Sequence, residues 1–78
     1  MSLGMKIAKY ANYYWKGCFS DEELQQFAYD YETDADTLED VLQYIAEDID
    51  MARDERLYND EAIELYNEAK AHLNTLRA

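Results

Sequence analysis

Residues 37–52, TLEDVLQYIAEDIDMA, carry the clearest pattern in the chain. Leu38, Val41, Leu42, Ile45, Ile49 and Ala52 recur at helical spacing and share one side of a helical wheel. Glu39, Asp40, Glu47, Asp50, Asp54 and Glu55 occupy the rest of the circumference. One side of this helix demands a core, and the other is nearly all carboxylate.

Weaker patterns flank it. A first helix is predicted over Met5–Lys16, with Ile7, Ala11, Tyr14 and Cys18 along one side and Tyr10 and Trp15 widening the stripe. Gly17 is placed to end that helix as a left-handed C′ residue. Ser20-Asp21-Glu22-Glu23 reads as a capping box opening a second helix, whose short apolar face is Leu24, Phe27, Ala28 and Tyr31. Residues 32–36, ETDAD, form the next turn, with Asp36 or Thr37 as the cap of the organising helix.

Residues 53–59 are polar enough for a second turn, and Asn59 before Asp60-Glu61 resembles an N-cap with an acidic first turn. A last helix then carries Ala62, Leu65, Tyr66, Ala69, Leu73 and Leu76 on one face. One helix running straight through 53–59 would instead separate two apolar stripes that need each other. Without proline, with two glycines and with no sustained alternation, the chain gives no reason to propose a strand. The fold class that follows is all-α: a small three- to four-helix bundle over 1–78, its last two helices an antiparallel hairpin. The second methionine, Met5, makes residues 1–4 a candidate expression scar.

Composition narrows the function more than it names it. A chain of 78 residues has a thin core and no room for a deep substrate cavity. Its hydrophobic share of 49% and aromatic share of 14% favour folding over disorder. With 18 Asp+Glu against 7 Lys+Arg, the net charge is −11. Such a chain repels nucleic acid and anionic membrane and attracts basic proteins. The single cysteine, Cys18, lies on an apolar stripe, excludes an internal disulfide and fits a cytoplasmic, reducing setting.

Candidate chemistry is thin. Glu61, Glu64, Glu68 and His72 share a side of the last helix, but Ala69 stands where a Glu-x-x-His pair ending at His72 would need its glutamate. They read as a solvated face with a Glu68–His72 pair. The acidic run Asp30–Asp40 places Ala35 and Val41 where a calcium loop needs glycine and glutamate. There is no phosphate loop, no nucleophile elbow and no HExxH motif, so the chain reads as non-enzymatic, with no metal or cofactor implied.

Charge distribution says more. Residues 20–64 hold 17 of the 18 acids, with only Arg53 and Arg56 among the bases. Helical ion pairs cannot neutralise that field, which suits solubility, recognition of a basic protein or mimicry of nucleic acid. Eight of the eleven aromatics fall within 10–31. Tyr13 and Tyr29 lie off their stripes, and Tyr44 and Met51 lie on the outer side of the organising helix. The expected partner-binding set is therefore Tyr13, Tyr29, Tyr44, Glu47, Asp50, Met51 and Asp54, aromatic anchors within an acidic rim. The leading expectation is a non-catalytic interaction module for a basic partner. The alternative is a self-associating structural domain whose surplus aromatics are buried in a homodimer.

Overall fold

The organising stripe does become the centre of the molecule. A computed structural model describes residues 1–15, 17–55 and 60–78, the side chains of 52–55 aside. It contains the helices α1 (Leu3–Tyr14), α2 (Asp21–Thr33), α3 (Ala35–Glu55) and α4 (Asp60–Arg77). Leu38, Val41, Leu42 and Ile45 of α3 meet Ala62, Leu65, Ala69 and Leu73 of α4, with Ile7 and Tyr10 added from α1. Ile7, Leu38 and Ile45 are wholly buried. Fully burying one such side chain stabilises the fold by roughly 1.5–3 kcal/mol.

The chain folds as two hairpins, α1 with α2 and α3 with α4, laid on one another. The extents of 33 × 32 × 20 Å give a short dimension of about two helix diameters. The second hairpin is the antiparallel pair expected from sequence, and its open end is tied by Arg77, which pairs with Glu39 and lies 3.6 Å from Asp36. Residues 56–59, most of the expected turn together with its Asn59 cap, lie outside the described residues. Helix α3 extends to Glu55, past the Ala52 at which the pattern stops.

The first hairpin is held by close approach rather than by bulk. A Cβ on Gly4 would overlap the carbonyl oxygen of Ala28, so the α1 and α2 backbones nearly touch there. Ala8 and Ala11, also buried, follow Gly4 at i+4 and i+7 on the same face. Glu32 of α2 then accepts from the Gly4 N–H at 2.8 Å, placing a carboxylate at the positive end of α1. Residues 2–4 are thus built into the first helix: Ser2 caps it, its Oγ accepting from Met5 N at 3.2 Å.

Three local expectations need correction. Helix α1 starts at Leu3 rather than Met5 and ends at Tyr14, with Trp15 as its C-cap donating to Ala11 O, so Gly17 is not its terminator. The buried stripe ends at Ala11: Tyr14, the last helical residue, is exposed, and Cys18, beyond the helix, is an exposed thiol rather than a small buried hydrophobe. The turn before α3 shrinks to Asp34 alone. Its Oδ1 accepts from Asp36 N at 3.0 Å and Thr37 N at 3.4 Å, so Asp34 is the cap in place of Asp36 or Thr37. The capping box of α2 forms as expected, with Ser20 Oγ accepting from Glu23 N and Glu23 Oε1 accepting from Ser20 N.

Candidate functional site

A second face of α3, turned from its core stripe, builds the site of most interest. Thr37, Asp40, Tyr44 and Glu47 recur at i, i+3, i+7 and i+10, so they line one side of the helix. Trp15, just past the end of α1, and Tyr31, in the last turn of α2, close a groove against that side. Its volume is about 430 Å³, within the roughly 300–1,000 Å³ of ligand-accepting clefts.

Asp48 fixes the groove. Its Oδ2 accepts from Trp15 Nε1 at 2.7 Å and from Tyr10 Oη at 3.1 Å. Hydrogen bonds to a charged partner contribute about 1.5–3 kcal/mol each, so this half-buried carboxylate locks both rings. Burial and then the Asp48 charge push the Tyr10 hydroxyl well above the ordinary tyrosine range, which keeps it a donor. The Trp15 ring stands edge-on to Tyr10 at 5.9 Å and 87°, and meets Tyr44 at 5.6 Å and 62°. Tyr31, raised above the ordinary tyrosine range by burial and then by Asp30, stacks on Phe27 at 6.3 Å.

Asp40 and Glu47 stand exposed at the groove's rim, and neither has an ion-pair partner among the described residues. No lysine, arginine or histidine among the described residues lines the groove. It therefore presents three aromatic rings and three carboxylates with no cation among the described residues to satisfy them.

A larger groove, about 610 Å³, lies between α1 and α4 and differs in chemistry. Lys6 and Lys9 line it beside Glu61, Glu64 and Glu68, so cations and acids of the chain share the groove. Lys6 Nζ pairs with Glu68 Oε2 at 3.3 Å, and Tyr14 Oη donates to Glu61 Oε2 at 3.4 Å. The Glu61 charge, more than burial, raises the Tyr14 pKa. Size favours this groove, but unmet charge favours the groove over α3.

The residues expected from sequence do not form one patch. Tyr44 and Glu47 lie in the α3 groove, whereas Tyr13 lies in the α1–α4 groove. Tyr29 on α2, and Asp50 and Met51 on α3, line neither. The side chain of Asp54 lies outside the described residues. Tyr13, Tyr29, Tyr44 and Met51 are 79%, 64%, 58% and 58% exposed, so none of the four is held under a neighbouring helix.

Trp15, Tyr31, Asp40 and Asp48 were missing from that set. The spacing of Asp40, Tyr44 and Glu47 at i, i+4 and i+7 was available to find part of the groove. Nothing local marks Asp48, whose partners lie 33 and 38 residues away. The expected Glu68–His72 pair is absent. Glu68 goes to Lys6, and His72 Nε2 lies 2.7 Å from the Glu32 carbonyl, which can only accept, so that nitrogen carries the proton.

Among the described residues, no group of three or more His, Cys, Asp or Glu is placed to hold a metal ion. No helix among them is long and apolar enough to cross a membrane. No family model, curated protein or solved structure matches the chain.

Proposed function

We propose that this protein is a non-catalytic interaction module that recognises a basic protein through the groove over α3. The observation that carries the reading is the pairing of aromatic walls with carboxylates that no cation of the chain answers among the described residues. A net charge of −11 supplies a long-range field that draws a basic partner in. The groove supplies short-range selection, because rigid aromatic rings give contact area at low entropic cost.

Any strongly acidic protein retains basic peptides at low salt, so the test must separate site from field. The Asp40→Lys/Glu47→Lys variant changes the groove. A Glu22→Lys/Glu64→Lys variant makes the same change of net charge at exposed positions outside it. Binding is read on immobilised peptides graded from acidic to basic, at low and at high salt. The expected result is selective retention of basic peptides, lost in the groove variant and largely kept in the control, with helicity unchanged in both. Equal losses in the two variants would reduce the acidity to a diffuse field and sink the reading.

A further inference from the structure

We infer that the groove over α3 is a receptor for an arginine side chain of the partner, with Trp15 and Tyr44 as its stacking walls and Asp40 and Glu47 as its counter-charges. The inference rests on the proposed recognition of a basic protein and names the group that is read.

The wall comes first. Tryptophan is the strongest aromatic host for a cation. Trp15 is also held from two sides, by its bond to Asp48 and by the edge of Tyr10. A ring already fixed loses little freedom when a ligand arrives, which is the main benefit of preorganisation. Tyr44 stands at 62° to it, so the two rings form an open angle rather than a closed box. Tyr31, the third wall, is already stacked on Phe27 at 20° between planes.

The shape and the charges together choose among cations. A quaternary ammonium wants a closed aromatic cage and has no N–H to give a carboxylate. A lysine ammonium is compact and tightly hydrated, so an aromatic wall costs it water. Guanidinium is planar and weakly hydrated; it stacks on a ring while its edge donates to carboxylates. Asp48 is half-buried and commits its Oδ2 to two ring donors, whereas Asp40 and Glu47 stand exposed at the rim, so these two are the counter-charges an entering cation meets first. Seven residues apart on α3, they stand about 10 Å apart along the axis, one on each side of Tyr44. An arginine entering in either direction along the groove finds a carboxylate at its end.

Trp15 is the chain's only tryptophan, so its indole reports on this groove alone. The experiment follows the indole N–H resonance while N-acetyl-arginine N-methylamide is titrated at constant ionic strength. The lysine analogue and tetramethylammonium chloride are titrated in parallel. Saturable shifts with the arginine probe are expected, several-fold weaker with the lysine probe. Tyr44→Phe keeps the binding, whereas Tyr44→Ala, at an exposed position that leaves the core intact, weakens it by about tenfold.

Tighter binding of tetramethylammonium would overturn the inference in favour of a methylated ammonium. Equal response to arginine and lysine, or to added sodium chloride, would overturn it in favour of unselective charge. An indole shift that grows with protein concentration alone would assign the groove to a second copy. If basic peptides bind through the groove while the arginine probe is silent, this inference fails and the proposed function stands. If neither binds, both fail.

Discussion

The two grooves differ less in size than in who satisfies their charges. Between α1 and α4, the chain brings its own cations and donors to the acids: Lys6 meets Glu68, Glu61 accepts from Tyr14, and Lys9 lines the same groove as Glu64. Over α3, the one carboxylate that is satisfied, Asp48, is satisfied by ring donors that it thereby positions. Asp40 and Glu47 have no ion-pair partner among the described residues. Charge repulsion in a chain of −11 makes such an arrangement costly unless a partner relieves it. The lesson is that a recognition surface is marked by unmet demand held in a rigid frame, and volume alone does not mark it.

Removing Asp48 is the most severe way to break that contrast. Asp48→Ala leaves the Tyr10 hydroxyl and the Trp15 N–H without their acceptor, and Tyr10 is buried. We expect a loss of about 2–3 kcal/mol, the usual cost of stranding buried donors, which in a domain this size lowers Tm by roughly 10 °C or more. Thermal unfolding by circular dichroism measures it. Asp48→Asn, which keeps an accepting oxygen, should recover at least half of the loss. If both variants melt with the native protein, Asp48 does not frame the groove.

Alkaline pH probes the same frame more gently. Tyr10 and Tyr31 have folded pKa values raised above the ordinary tyrosine value, chiefly by burial. A raised folded pKa means the contribution to stability is fully present below about pH 10. It is lost as pH climbs from there through the folded value, because the unfolded phenol ionises first. Between about pH 10 and its folded value, Tyr10 adds up to about 1.4 kcal/mol of destabilisation per pH unit, and Tyr31 acts in the same direction. Tyr10→Phe should flatten that slope. Absorbance of ionised phenol, followed during an alkaline titration, should show a late fraction of the eight tyrosines that appears only with unfolding. A single smooth titration of all of them near pH 10 would contradict the burial argument.

Much of the frame was legible in the sequence, and the site only in part. Leu38, Val41, Leu42 and Ile45 could be read because a helix that buries one face repeats its demand every turn. The capping box at Ser20 was legible because all of its partners lie within four residues. Tyr44 and Glu47 were recognisable as outward-facing on the same grounds. Asp48 was not, since an acid beside an apolar stripe normally faces water, and its donors come from α1 across the bundle. The end of α1 was misjudged because Gly17 is the conventional stop, whereas the chain leaves the helix at Trp15 and sends that ring to Asp48. Gly4 gave no local sign that it marks the closest approach of two helices. Periodicity reports which face is buried; it says nothing about which distant side chain will meet a given edge.

The smallest effect sharpens the comparison from the other side. Lys6 and Glu68 are each about half exposed, at 45% and 50%, so water already solvates both ends of their pair. Exposed pairs of this kind contribute about 0–1 kcal/mol, because long side chains lose freedom to hold one geometry. Lys6→Met should therefore cost less than about 0.5 kcal/mol, read as a shift in the urea midpoint with an unchanged slope. Glu61→Gln should cost nothing measurable: it keeps an oxygen that can accept from Tyr14 while relieving repulsion among the acids. Two near-silent substitutions in the larger groove, set beside a disruptive Asp48→Ala in the smaller, would place the structural investment of this chain in the groove over α3. A substantial loss from Lys6→Met would instead make the α1–α4 groove the better-braced of the two, and the search for a partner would move there.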